Sequence, residues 1–107
     1  AHVMEFTDAN FDEVINESGT LSVVDFWATW CGPCVTLGPV VEELAVKYSE
    51  EKVNVGKLNV DENQSITARY GIRSIPAILF FKDSELVDTV VGIVPIEVLD
   101  QKIKDHL

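Results

Sequence analysis

The chain has 107 residues, 18 acidic side chains against 8 basic ones, and 2 cysteines. That length allows one ordinary domain whose core needs no covalent staples, and 47% apolar with 24% charged residues is a globular rather than a disordered composition. The formal charge of −10 excludes nucleic acid or an anionic membrane as the expected partner, since both need a basic footprint, and no apolar run approaches the roughly 20 residues that cross a bilayer.

Ala1 to Glu5 carry neither a basic stretch nor an apolar run, so no secretory signal is read in this sequence. Val3–Phe6 reads as a short strand. Asn10–Glu17 reads as a short helix with Phe11, Val14 and Ile15 on one side, broken by Ser18-Gly19. Leu21–Ala28 is β-branched, aromatic and apolar on both faces, as a central parallel strand would be. Cys34–Tyr48 predicts a helix whose buried stripe is Leu37, Val41, Leu44, Ala45 and Tyr48. Pro33 suits the first turn of that helix, whereas Pro39 lies well inside and is expected to bend it.

Val53–Val60 alternates as a strand, and Asn63–Tyr70 predicts a brief helix closed by Gly71. Ala77–Phe81 and Glu85–Val91 form a hairpin across Asp83-Ser84, a turn without the glycine that tight hairpins prefer. Ile96, Leu99, Ile103 and Leu107 mark a terminal amphipathic helix, which Val94-Pro95 opens without a Ser, Thr, Asp or Asn cap. No repeat, low-complexity tract or linker interrupts the chain, so we read a single domain over residues 1–107. The order βαβαβαββα implies an α/β fold with a central mixed sheet of about five strands and about four helices on its two faces.

Cys31 and Cys34 stand three apart, directly after the most apolar strand and at the mouth of a helix. A helix start offers unpaired N–H groups and the positive end of the dipole, which favour a thiolate over a thiol. The thiolate is the nucleophile of disulfide exchange. A structural zinc site would need four ligands, and the sequence has no second cysteine pair, while His2 and His106 lie at opposite ends. A permanent disulfide around so small a loop would restrain little of the unfolded chain. Two inert buried thiols fit the bare spacing, though less well the strand-to-helix position.

The run Val24-Asp25-Phe26-Trp27-Ala28-Thr29-Trp30-Cys31-Gly32-Pro33-Cys34 resembles the active-site signature of the thioredoxin family. Lys57-Leu58-Asn59-Val60-Asp61, Tyr70-Gly71-Ile72-Arg73-Ser74-Ile75-Pro76 and Val91-Gly92 follow in that family's order and near its spacing, so the resemblance covers nearly the whole chain. It implies a thioredoxin fold and protein-disulfide reductase chemistry. Cys31 would be the attacking thiolate and Cys34 the resolving one, with a redox disulfide between them.

Asp25 interrupts an apolar strand. If that strand is covered on both faces, burial should raise the Asp25 pKa toward the range useful for proton transfer, whereas on an edge strand Asp25 would be an acid facing water, and the pattern fits both equally. The resemblance gives it the role of serving Cys34, and makes Lys57 the lysine that tunes its pKa. Ile75-Pro76 would be the family's cis-proline loop. Trp30, Gly32, Pro33, Ile75, Pro76, Gly92 and Ile93 would form the docking rim, whereas Trp27 is read as core packing. The implied partners are disulfide-containing client proteins and a separate thioredoxin reductase as electron donor. The protein would act as a cytoplasmic monomer in cell redox homeostasis.

No GxGxxG phosphate loop occurs, so neither NADPH nor flavin is expected as a bound cofactor, and no metal is expected. The chain departs from the family pattern at Val35, where many relatives carry Lys or Arg, at Ser74 for a common glycine and at Ala77 for a common threonine. Loss of the cation at Val35 would raise the Cys31 pKa and weaken docking of acidic partners, while Ser74 and Ala77 bear on partner choice more than on the reaction. An oxidant or isomerase of secreted proteins would share the chemistry, and a redox-independent docking module would share the fold.

Overall fold

A computed structural model of the protein describes residues 2–107; Ala1, the first residue of the N-terminal stretch read above, lies outside the described residues. The elements follow in the order β1 (Met4–Glu5), α1 (Phe11–Ile15), β2 (Leu21–Trp27), α2 (Gly32–Lys47), β3 (Val53–Asn59), α3 (Gln64–Arg69), β4 (Ala77–Lys82), β5 (Glu85–Val91) and α4 (Ile96–His106). The five strands form one sheet in the order β1-β3-β2-β4-β5. β3 pairs in parallel with both β1 and β2, and β4 runs antiparallel to β2 and β5. This is the mixed sheet expected from the element order, with β2 at its centre.

Alternation along β2 divides the core. Leu21 and Val23 point to one face, where they pack with Leu37, Val41 and Leu44 of α2 and with Leu99 and Ile103 of α4. Val24 and Phe26 point to the other face, against Phe11, Val14 and Ile15 of α1 and Ile66 of α3. The helices therefore cover both sides of the sheet. The predicted stripe of Leu37, Val41, Leu44, Ala45 and Tyr48 is buried throughout.

Several boundaries differ from the sequence reading by one or two residues. The first strand covers Met4–Glu5 rather than Val3–Phe6, since Phe6 turns fully into the core. The first helix is Phe11–Ile15 rather than Asn10–Glu17, because Asn10 closes a turn with Thr7 through two reciprocal side-chain hydrogen bonds of 2.8 and 3.1 Å. The second strand stops at Trp27 and the third at Asn59, while β4 runs one residue further, to Lys82. The third helix is Gln64–Arg69, flanked by Asn63 and Tyr70 as caps.

The long helix begins at Gly32, two residues before the predicted start at Cys34, and runs through Pro39 as one element to Lys47, one residue short of the predicted end at Tyr48. The hairpin turn places Asp83 at φ 50° and Ser84 at φ 68°. These two residues adopt the left-handed backbone that glycine would adopt more easily. Their side chains tie the turn to the α1–β2 region: Asp83 accepts from the Gly19 N–H at 3.2 Å, and the Ser84 hydroxyl donates to Asn16 at 2.8 Å.

Candidate active site

The Cys31–Cys34 pair stands where β2 ends and α2 begins. Cys31 is the N-cap of α2, with extended backbone at φ −91° and ψ 108°, and Cys34 lies in the first turn. Because Cys31 sits outside the helix, the two Cα atoms are 5.2 Å apart and a disulfide joins the side chains. The backbone N–H of Cys34 donates to Cys31 Sγ at 3.2 Å. A helix-start amide is thereby aimed at the first cysteine's sulfur, where it stabilises negative charge. Cys34 is fully buried and Cys31 is 6% exposed, so the more exposed cysteine is the one whose sulfur receives the amide.

The chain returns to this centre at two further points. The Ile75–Pro76 peptide bond is cis, and the Ile75 carbonyl oxygen lies 3.8 Å from Cys31 Sγ. Ile75 makes no backbone–backbone hydrogen bond among the described residues, which leaves its main chain open beside the sulfur. The Gly92 N–H donates to the Pro76 carbonyl at 2.8 Å, and Gly92 adopts φ 90°, a conformation that a side chain would strain. Trp30 is 70% exposed, and Ile93 is exposed as well. The structure thus brings Trp30, Ile75, Pro76, Gly92 and Ile93 to the end of the sheet that carries Cys31-Gly32-Pro33.

Asp25 lies in the middle of β2 and is 1% exposed. It shares a sheet face with Val23, so it occupies the layer between the sheet and α2, the helix that carries Cys34. Neither carboxylate oxygen has a hydrogen-bond partner among the described residues. Burial raises its pKa from the ordinary 3.8 to about 7, and the positive charge of Lys57 offsets part of that rise. Lys57 is the register partner of Asp25 on β3, and Glu5 on β1 completes the same rung. The Lys57 ammonium sits 4.2 Å from the centre of the Trp27 ring.

Two features of the site had no sequence-level assignment. The Trp30 indole N–H donates to the Asp61 carboxylate at 2.8 Å, which fixes an otherwise exposed ring. It follows from the parallel register, which local sequence pattern does not carry. Trp27 pairs with Asn59, so the residues just past each strand end, Trp30 and Asp61, meet. Trp27, read as core packing, is half-buried: it packs against the cluster of Ala28 and the two cysteines and also meets Lys57. Of the departures from the family pattern, Val35 and Ser74 are exposed and Ala77 is buried.

The chain matches the Thioredoxin family model over residues 2–105. It is 52% identical over 101 residues to thioredoxin 1 of Synechococcus elongatus, covering 94% of each chain. Against the thioredoxin of Chlorobaculum thiosulfatiphilum it is 50% identical over 103 residues, covering 96% of this chain and 94% of that one. A solved mutant thioredoxin from Halobacterium salinarum superposes with a TM-score of 0.87 at 35% identity, covering 98% of this chain and 90% of the other. The protein belongs to the thioredoxin family, a protein-disulfide oxidoreductase with a thioredoxin fold that carries out thiol–disulfide exchange through its Cys31-Gly32-Pro33-Cys34 centre.

Proposed function

We propose that the protein works as a reductant of client-protein disulfides, with the two cysteines in unequal roles. In the reduced form the Cys31 thiolate attacks one sulfur of a client disulfide. A Cys31–client mixed disulfide forms and the client's other sulfur leaves as a thiolate. Cys34 gives its proton to the Asp25 carboxylate and attacks Cys31 Sγ, which expels the second client thiolate and closes the Cys31–Cys34 disulfide. Two electrons pass from the cysteine pair to the client. A thioredoxin reductase, itself a separate protein, returns them.

The observation that carries this reading is the Cys34 amide donating to the Sγ of the more exposed cysteine at the N-cap of α2. Asp25 suits the proton step because a carboxyl group with a pKa of about 7 can accept and return a proton near neutral pH. Lys57 tunes that value without touching the reacting atoms. Trp30, Gly32, Pro33, Ile75, Pro76, Gly92 and Ile93 form the rim on which an extended client segment docks, with the open Ile75 backbone pairing to it as a strand would. We place the protein in the cytoplasm as a monomer of one domain spanning residues 1–107. Among the described residues no helix is long and apolar enough to cross a membrane.

The reduction potential of the Cys31–Cys34 couple tests the direction of transfer. Thioredoxins as a class sit near about −270 mV, whereas a dedicated oxidase lies near about −120 mV, and each 30 mV corresponds to roughly 1.4 kcal/mol for this couple. A value close to the first supports a reductant. A value close to the second would make the protein an oxidant of its clients.

A further inference from the structure

Lys57 and Asp25 occupy one rung of the parallel β2–β3 pair, so their side chains leave the sheet on the same face. A lysine and a buried carboxylate so placed would be expected to form an ion pair. Among the described residues Lys57 forms none, neither with Asp25 nor with another carboxylate. Its ammonium instead lies over the Trp27 ring, 4.2 Å from the centroid.

Trp27 stands two residues beyond Asp25 on the same strand, which puts its ring on the same face and diagonal to Lys57. On the helix side the ammonium lies near Gly38 of α2, where an added Cβ would sit at an ordinary contact distance of 4.0 Å from Lys57 Nζ. On the outer side Trp27 and Lys57 line a groove of about 200 Å³ with Glu5, Asn59 and Glu62. The titratable groups around the ammonium are therefore Asp25 on its own rung and Glu5 and Glu62 in the groove, with the cysteine pair in the cluster against which Trp27 packs.

We infer that Trp27 is a positioning residue for the proton step: its ring holds the Lys57 ammonium off the Asp25 carboxylate, so that Asp25 stays without a salt-bridge partner and keeps its affinity for a proton. An ammonium over an indole face is held by the ring quadrupole, most strongly where water is partly excluded. Freed from the ring, Lys57 would have a buried anion beside it on the same rung, and a close Asp25–Lys57 pair would hold the carboxyl ionised and unable to take the Cys34 proton at neutral pH. The inference rests on the reading of Asp25 as the Cys34 proton acceptor, but its test does not use turnover.

The test is the Asp25 carboxyl titration, followed by carbon NMR on the disulfide form, in wild type, Trp27→Leu, Lys57→Met and the double variant. With Lys57 present, Trp27→Leu should lower the Asp25 pKa by about half a unit or more. In the Lys57→Met background the same substitution should have little effect. Equal shifts in both backgrounds would overturn the inference, because Trp27 would then act by excluding water alone. Trp27→Phe keeps a ring and should keep most of the wild-type value.

The unmutated protein offers a check that needs no variant. The Lys57 ε-methylene protons should be shifted upfield by the Trp27 ring current, and ordinary lysine positions would refute the clamp. If instead Asp25→Asn left client release unchanged, the proton-acceptor role would fall while the Trp27–Lys57 coupling stood.

Discussion

Asp25 and Lys57 face each other across one rung of the β2–β3 pair, yet the carboxylate has no hydrogen-bond partner among the described residues and its pKa rises from 3.8 to about 7. In the unfolded chain the group would ionise near its ordinary value. Between those two values the folded protein holds a proton that the unfolded chain does not. Stability therefore falls as pH rises through this window, and the full penalty is present above pH 7.

Asp25→Asn should remove that penalty. The variant should be more stable than wild type at pH 8, by an amount on the order of 4 kcal/mol, and the difference should shrink as pH is lowered toward 4. Denaturant unfolding across this range checks the sign. A gap that did not depend on pH would show that Asp25 is ionised in the folded state throughout.

Much of this site is legible in the residues themselves. A carboxylate interrupting Val23-Val24-Asp25-Phe26-Trp27 fits either a buried acid or an edge-strand acid facing water, and the central place of β2 decides for burial. Two cysteines at a strand-to-helix junction mark a reactive pair, because the helix start supplies amides. What the residues do not carry is register. The Trp30–Asp61 hydrogen bond and the Lys57–Trp27 contact each depend on how β2 aligns with β3, which local pattern leaves open. The Asp83-Ser84 turn is harder to read for a related reason: its left-handed backbone accompanies side-chain bonds to Gly19 and Asn16, far away in sequence.

The start of α3 shows the same dependence on distant partners. Among the described residues its N-cap, Asn63, makes no side-chain capping bond, and the carboxylate of Asp8 accepts instead from the Ser65 and Ile66 N–H groups at 3.2 and 2.9 Å. Asp8→Ala should cost about 1 kcal/mol, as loss of an N-cap does. Hydrogen exchange should show the α3 amides losing protection more than those of β2. Unchanged α3 protection would mean that the helix start is held by other contacts.

Gly56 permits the close approach of β1 to β3. A Cβ added there would lie 2.6 Å from the Phe6 ring and would also clash with the Met4 carbonyl. Both obstacles are packed in place, since Phe6 is fully buried and Met4 is the register partner of Gly56. Gly56→Ala should destabilise the protein by about 2 kcal/mol through overpacking. Denaturant unfolding measures the loss, and a variant as stable as wild type would show that β1 can shift at little cost.

The unequal roles of the two cysteines are tested most directly by single-cysteine variants mixed with a disulfide-bonded client protein. Cys34→Ser leaves only Cys31, with its sulfur at the helix start, and should accumulate a client mixed disulfide rapidly, visible by intact mass. Cys31→Ser leaves only the fully buried Cys34 and should form that adduct at least about a hundredfold more slowly, as expected where a thiol lacks both access and thiolate character. Adduct formation at equal rates in the two variants, or faster at Cys34, would contradict the assignment of Cys31 as the attacking residue.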